Sequence, residues 1–221
     1  MDFQQARYNM VEQQIRPWDV LDFDLLDALQ DIPREEFVSA EQKAYAYADM
    51  HLRLPNNSLM LEPKIVARLI QGLRLQKTDN VLEIGTGAGY AAAVMAKLAH
   101  SVTTVDLDAA QLARAEDALR RVGIDNVTFK AQDGFAAETH GDEKYQAIYI
   151  GAAVSQIPDE LRHCLAAGGR LVAVMGEAPV KRAVVLTRGA DDCFSQEVLF
   201  DTDIPALIQG ERSLGREAFV F

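Results

Sequence analysis

Cysteine is nearly absent from this chain. The two that occur, Cys164 and Cys193, are too far apart for a redox pair and too few for a disulfide framework or a thiolate metal centre, so both are expected to be reduced packing residues. Long apolar runs are missing as well: no segment reaches the roughly 20 residues needed to cross a bilayer. Residues 1–16 hold no apolar stretch suited to a secretion signal, so a cytoplasmic location is the expectation. Positive charge is the scarcer sign, with 22 Lys and Arg against 33 Asp and Glu and a net charge of -11. The basic residues are scattered, which excludes the basic footprint that a nucleic-acid backbone requires. There are no internal repeats, low-complexity tracts or linkers, no metal-ligand spacing and no Ser-His-Asp or Cys-His constellation. The four histidines, His51, His100, His140 and His163, read as ordinary surface or core residues.

What is present is a well-mixed globular sequence. With 49% hydrophobic residues in 221, the chain buries a substantial core, and one α/β domain with an N-terminal accessory region is the economical division. Residues 5–16 and 19–31 read as helices, with Leu21, Leu25, Leu26 and Leu29 forming an apolar stripe and Pro33 ending the second segment. Trp18 is placed to dock this region on the main body. An irregular stretch follows from about 44 to 62. Pro63 then suits the first turn of a helix whose apolar face is Ile65, Val66, Leu69, Ile70 and Leu73. From residue 81 the pattern alternates: strands at 81–84, 101–105, 126–130, 145–150 and 170–175, helices at 89–99 and 108–122. That alternation implies a parallel sheet. Runs at 183–187 and 194–200, joined by an Arg188–Asp192 turn, predict an antiparallel C-terminal edge.

The chemistry is concentrated where the first strand of that series ends. Val81-Leu82-Glu83-Ile84-Gly85-Thr86-Gly87-Ala88-Gly89-Tyr90 is an apolar strand, a turn with alternate glycines and the start of an alanine-rich helix. Glycines permit a sharp turn and close approach of a ligand to main-chain N–H groups, and the helix directs its positive end to the same point. The spacing is G-x-G-x-G rather than the dinucleotide G-x-G-x-x-G, with Glu83 two residues before the first glycine. It resembles the E/D-x-G-x-G-x-G signature of class I methyltransferases, which bind S-adenosylmethionine. Asp106 ends the second strand about 20 residues on, where an acid accepts hydrogen bonds from ribose hydroxyls. A third strand leads to Gln132-Asp133-Gly134, where a carboxylate meets an adenine amino group. A nicotinamide-dependent oxidoreductase has less use for the third acid and needs a catalytic Tyr/Lys or His unit that is not found.

Further blocks narrow the resemblance to protein-L-isoaspartate O-methyltransferases. Pro33-Arg34-Glu35-Glu36-Phe37-Val38 is similar to that family's P-R-E-x-F-V, and Ala46-Tyr47-Ala48-Asp49-Met50-His51-Leu52 to its A-Y-x-D-x-x-L. Val81 to Tyr90 resembles V-L-E-I-G-T-G-S-G-Y, Asp133-Gly134 its G-D-G, and Gly151-Ala152-Ala153 the A-A after the fourth strand. Ile157 to Leu161 and Gly168 to Val172 resemble I-P-x-x-L and G-G-R-L-V. The similarity covers roughly residues 10 to 178. It implies a seven-stranded, mostly parallel Rossmann-like sheet with an antiparallel C-terminal edge and an N-terminal helical cap. Residues 1–62 are then the cap and substrate loop, and 63–221 the S-adenosylmethionine-binding domain. The implied cofactor-binding residues are Glu83, Gly85, Thr86, Gly87, Gly89, Tyr90, Asp106, Leu107, Gln132, Asp133, Gly134, Gly151 and Ala152.

One block departs from the family. Where the pattern is L-P-I-G-x-G-Q-T-I-S-x-P, this chain has Leu52-Arg53-Leu54-Pro55-Asn56-Asn57-Ser58-Leu59-Met60-Leu61-Glu62-Pro63. Leu59 stands at the Thr and Leu61 at the Ser, and neither leucine side chain can make the hydrogen bond of a hydroxyl. The catalytic residue is therefore left unassigned. The leading expectation is carboxyl methylation of isoaspartyl residues in damaged proteins. The alternatives are a methyltransferase of the same fold with another acceptor, its pocket made more apolar by Leu59, Met60 and Leu61, and a non-catalytic S-adenosylmethionine-binding interaction protein.

Overall fold

A computed structural model describes residues 1–136, 140–177 and 180–208; the cofactor domain expected to run to residue 221 thus extends past the described residues. Helix α1 (Phe3–Asn9) is capped by Asp2, whose carboxylate accepts the Gln5 N–H at 3.0 Å. The expected helix over 5–16 does not continue as one regular element. Met10–Ile15 widens into a π-helical turn and Arg16–Trp18 tightens into a 3-10 turn. The wide turn brings residues five apart onto one face, and it buries Met10, Val11 and Ile15 completely. Asp19, at φ 60°, ends the segment.

The second helix, α2 (Phe23–Asp31), starts later than the 19–31 expectation because Asp22 caps it, accepting the Leu25 N–H at 3.1 Å. Leu21 consequently lies before the helix and is 65% exposed, while Leu25, Leu26 and Leu29 form the buried stripe. Trp18 does dock on the body, with Lys64 Nζ 4.5 Å from its ring centroid. The stretch expected to be irregular contains two short strands, β1 (Leu52–Arg53) and β2 (Leu59–Met60), paired antiparallel as a small hairpin. Helix α3 (Pro63–Leu73) has Pro63 in its first turn and buries all five apolar-face residues.

The main sheet consists of β3 (Asn80–Ile84), β4 (Ser101–Asp106), β5 (Val127–Ala131), β6 (Tyr145–Val154), β7 (Leu165–Glu177), β8 (Val180–Arg188) and β9 (Phe194–Asp201). Helices α4 (Tyr90–Leu98), α5 (Ala109–Arg121) and α6 (Asp159–Cys164) supply crossovers. Strand order is β5-β4-β3-β6-β7-β8-β9. The first five strands in chain order pair parallel, while β8 and β9 add antiparallel. Residues 147–150 and 171–174 are buried throughout, as central strands covered on both faces must be. The order reverses between β3 and β6, and a crevice opens at the carboxyl ends of strands at such a point.

Two local features complete the frame. The β8–β9 turn closes with Gly189 donating to the Cys193 carbonyl at 2.7 Å. Cys164 packs in the core as expected, but Cys193 is exposed in that turn, where the chain reverses at the surface. After β9 the chain returns to β6: Ala153 donates to the Pro205 carbonyl and Leu207 donates to the Ala153 carbonyl, both at 2.8 Å. Among the described residues, no helix is long and apolar enough to cross a membrane.

Candidate cofactor site

A cavity of about 430 Å³ lies over the β3/β6 switch point, within the usual size range of small-molecule sites. One wall is Gly85 and Gly87; a second is Asp106, Leu107 and Asp108 at the end of β4; a third is Gln132, Asp133 and Gly134 after β5. Gly151 and Ala152 close the β6 side. The structure therefore brings together most of the cofactor residues read from sequence.

The loop geometry explains the glycines individually. Gly85 and Gly87 have φ of 85° and 51°, a region that side chains other than glycine rarely adopt. A Cβ on Gly151 would stand 2.9 Å from the Gly85 carbonyl oxygen, so these two backbones approach closely because neither carries a side chain there. Gly89 differs from the expectation of ligand contact. Its missing Cβ would fall 2.7 Å from Leu119 Cδ1 and 2.9 Å from Ala115 Cβ, so it serves the packing of α4 on α5. Gly134 lines the cavity and also packs closely on Ile84.

Asp106 is held in place by its own backbone surroundings. Its Oδ2 accepts the Gly87 N–H at 3.3 Å and its Oδ1 the Asp108 N–H at 3.0 Å. Gln111 donates to the Gly87 carbonyl at 2.7 Å and ties the glycine loop to α5. Asp133 Oδ1 accepts the Phe135 N–H at 2.9 Å, which orients that carboxylate at the start of its loop.

Glu83 is not a wall of the main cavity. Strand register sets Thr104 and Tyr149 directly beside it. The Thr104 hydroxyl donates to Glu83 Oε2 at 2.6 Å and meets the Thr86 hydroxyl at 2.5 Å. Burial pushes the Glu83 carboxyl up to about 8, the Thr104 hydroxyl opposing and the Asp106 charge reinforcing the rise. Glu83, Thr86 and Tyr90 instead border a smaller cavity of about 40 Å³. Leu59, Leu61, Gly85, Gly87 and Gly151 line both cavities.

The hairpin forms the outer wall. Leu54 donates to the Ser58 carbonyl at 2.9 Å, and Asn57 turns the tip at φ 65°. Asn56 Oδ1 accepts both the N–H and the hydroxyl of Ser58, at 3.1 and 2.6 Å. Across the cavity, Asp108 is held below the usual carboxylate range, chiefly by the Gln111 N–H, with burial opposing and the Asn56 side chain assisting. Leu59 and Leu61 line both cavities, whereas Met60 lines only the smaller one.

Sequence reasoning missed three contributors. Pro205 to Ile208 line the cavity only because the chain returns to β6, and no motif marks them. Asn56 and Asp108 meet across the opening through tertiary structure alone. Arg34 was visible only as a letter in the P-R-E block, yet it is fully buried and donates to the Ala46 and Leu61 carbonyls at 2.8 and 2.7 Å.

Comparison with known proteins agrees with this architecture. The family model for protein-L-isoaspartate(D-aspartate) O-methyltransferase (PCMT) matches residues 5–209. A protein-L-isoaspartate O-methyltransferase of Roseiflexus castenholzii is 38% identical over 213 residues, 95% of each chain. One from Geobacter metallireducens is 38% identical over 200 residues, 89% of this chain and 91% of the relative. A Plasmodium falciparum chain described as a beta-aspartate methyltransferase (PCMT), in complex with S-adenosyl-L-homocysteine, superposes with a TM-score of 0.79 at 18% identity. That match covers 95% of this chain and all of the other, and it bears on the fold alone. A second solved structure, of a protein-L-isoaspartate O-methyltransferase, gives a TM-score of 0.78 at 25% identity, over 97% of this chain and 70% of that one. With the family match spanning nearly the whole described chain and relatives aligned end to end, the protein belongs to the protein-L-isoaspartate(D-aspartate) O-methyltransferase family and carries its class I methyltransferase fold.

Proposed function

We propose that this methyltransferase uses S-adenosylmethionine to methylate the free carboxylate of isoaspartyl residues in damaged proteins. The observation that carries the reading is one continuous cavity in which the Gly85–Gly87 loop, Asp106 and Asp133 face the 52–60 hairpin, in a chain whose family match runs from residue 5 to 209. The residues present fit the cofactor. Two carboxylates, Asp106 and Asp133, line the cavity at the ends of β4 and β5, and Gly85 and Gly151 leave a cradle that a Cβ would fill.

Asp106 accepts from ribose hydroxyls while its N–H partners keep the carboxylate in place. Asp133 faces the adenine edge, with Leu107 and Ile84 as apolar walls. The chemistry supplied on binding is a methyl group on a sulfonium, which leaves as a neutral thioether. The acceptor carboxylate is already ionised at neutral pH, because its pKa lies near 4, so no general base is needed. The protein's task is to hold the reacting atoms in line and exclude water. Leu59, Leu61 and Leu207 perform the exclusion from the hairpin side and the returning C-terminal segment.

The second reading, another acceptor on the same fold, is favoured by one observation. The positions facing the cavity where the family has hydroxyls carry Leu59 and Leu61. The deciding experiment measures methyl transfer from labelled S-adenosylmethionine to an isoaspartyl peptide, to its aspartyl counterpart and to cell extract. Labelling of the isoaspartyl peptide alone supports the main reading. Labelling confined to another component of the extract moves the assignment to the second. Cofactor binding without any transfer leaves the interaction role.

A further inference from the structure

His140 lies on the connection between β5 and β6, is 3% exposed and is a wall of neither cavity. Its Nε2 meets the Gly134 carbonyl oxygen at 2.8 Å. A carbonyl only accepts, so Nε2 carries the proton, and in the neutral ring Nδ1 is a bare acceptor. Among the described residues, Nδ1 has no hydrogen-bond partner. The Tyr145 ring stands edge to face against the imidazole at 6.4 Å and 88°, and the Glu143 N–H donates to the His140 carbonyl at 3.1 Å.

The carbonyl that His140 holds belongs to the Gly134–Phe135 peptide, and the N–H of that same peptide donates to Asp133 Oδ1 at 2.9 Å. Because a peptide unit is planar, an oxygen fixed on one side sets the direction of the N–H on the other. Each hydrogen bond in such a chain also polarises the next. Translation of this peptide is already limited, since a Cβ on Gly134 would fall 2.6 Å from Ile84 Cγ2. That contact leaves rotation of the plane, and His140 stops the rotation. Asp133 and Gly134 are both walls of the main cavity at its β5 end.

We propose that His140 is a positioning residue for the cofactor: through the Gly134–Phe135 peptide it orients the Asp133 carboxylate toward the adenine edge, and it does so only as the neutral ring. This rests on the S-adenosylmethionine reading above and adds to it a residue that touches no ligand. Protonation places an N–H and a charge at Nδ1, where nothing accepts, so the ionised ring is driven outward to water and gives up the Gly134 carbonyl. The titratable groups facing the ring are Lys130 on β5, Glu143 before β6 and Tyr145 at its start, with Asp133 one peptide away. Lys130 and Glu143 are 3.4 Å apart and the Tyr145 hydroxyl donates to Glu143, so both engage that acid. Burial holds the imidazole below its ordinary pKa, with the Gly134 carbonyl opposing, Lys130 reinforcing and Glu143 opposing. The neutral ring therefore predominates at pH 7 and above, and cofactor affinity is lost as pH falls through the ring's own pKa.

Calorimetry of S-adenosylhomocysteine from pH 5.0 to 7.5 compares wild type with His140→Gln and His140→Phe. The glutamine amide nitrogen replaces the Nε2 donor and takes up no proton. His140→Gln should match wild type within about 3-fold at pH 7.5, and wild type should lose roughly 5-fold or more in affinity relative to it by pH 5.0. The comparison cancels other groups that titrate in this range. His140→Phe should bind roughly 10-fold more weakly at pH 7.5, through loss of one buried hydrogen bond. By NMR, the wild-type His140 ring signal, identified by its absence from His140→Gln, should titrate at lower pH in the complex than in free protein. A histidine that serves packing alone shows no such ligand-linked shift. Parallel curves for wild type and His140→Gln, a ring titration unmoved by ligand, or a His140→Phe that binds as wild type does, each overturns the proposal and leaves the cofactor reading standing. Wild type that binds no S-adenosylhomocysteine at any pH removes the cofactor reading and the proposal with it. If His140→Phe does not fold, the glutamine variant and the ring titration decide.

Discussion

Replacing Glu83 by Gln isolates the energetics of a buried acid at the centre of the sheet. Glu83 is 1% exposed, and burial raises its carboxyl from the ordinary 4.5 to about 8, with Thr104 and the Ala92 N–H opposing the rise and Asp106 adding to it. The unfolded chain titrates this group near the ordinary value. Between the two values the folded protein therefore retains a proton that the unfolded chain has released. Because the folded form binds more protons, stability against unfolding falls as pH rises through this window, by at most about 1.4 kcal/mol per pH unit from this one group. Integrated over the full window the ceiling is roughly 5 kcal/mol, and relaxation around the ionised carboxylate brings the expected loss to about 2–3 kcal/mol. Glu83→Gln is neutral at every pH and keeps an oxygen to accept the Thr104 hydroxyl. Urea unfolding of cofactor-free protein at pH 5, 6, 7 and 8 measures the effect as a difference between variant and wild type, which cancels other titrating groups. Near pH 5 the two should agree within about 1 kcal/mol. By pH 8 the variant should be the more stable by about 2–3 kcal/mol. Difference curves that stay flat from pH 5 to 8 would refute the buried, proton-retaining acid.

The remaining predictions concern the cavity walls. Asp106→Ala should weaken S-adenosylhomocysteine binding roughly 10- to 100-fold by calorimetry, through the lost ribose acceptor and the freed Gly87 N–H, and neither protein should prefer NAD. Gly151→Ala forces a Cβ to 2.9 Å from the Gly85 oxygen, so cofactor affinity should fall at least about 10-fold and stability by about 1–3 kcal/mol. Gly89→Ala, strained at φ 84° and clashing with Leu119, should lower the melting temperature while altering cofactor affinity less than Gly151→Ala does. Leu61→Ser should raise kcat for an isoaspartyl peptide and leave cofactor affinity nearly unchanged, at a stability cost of about 2–4 kcal/mol from the emptied apolar volume. A fall in kcat instead would mean that the leucine wall has a working geometry of its own.

Periodicity and punctuation were enough to read the alternating core of this protein. Strands β3, β4 and β5 fall within one residue of their sequence-based expectations, while β6 ends four residues later and β7 begins five residues earlier than expected. The central strands were legible because parallel strands covered on both faces require continuous apolar runs, and 147–150 and 171–174 are such runs. The glycine turn and Asp106 were legible because a close backbone approach and an acid at a strand end are local requirements, met within one βαβ unit. The β1–β2 hairpin escaped notice because two-residue strands carry no periodic signal. Leu21 misled for the opposite reason: its spacing fits the helical stripe, but the Asp22 cap starts the helix after it.

Other properties belong to tertiary structure. Local sequence carried the sheet, the crossover helices α4 and α5 and the cofactor-type loop, since hydrophobic spacing and glycine conformational freedom act within a few residues of one another, whereas the short α6 was not read from it. Gly89 has the same loop spacing as its neighbours, and only the position of α5 shows that it serves packing. Glu83 has the letter of a ligand-binding acid, and only the strand register beside Thr104 and Tyr149 makes it a buried, proton-retaining one. The return of Pro205–Ile208 to Ala153 and the burial of Arg34 against Leu61 join segments 52 and 27 residues apart. Desolvation and orphaned hydrogen-bonding groups depend on what surrounds an atom in space, so the chain had to be folded before they existed.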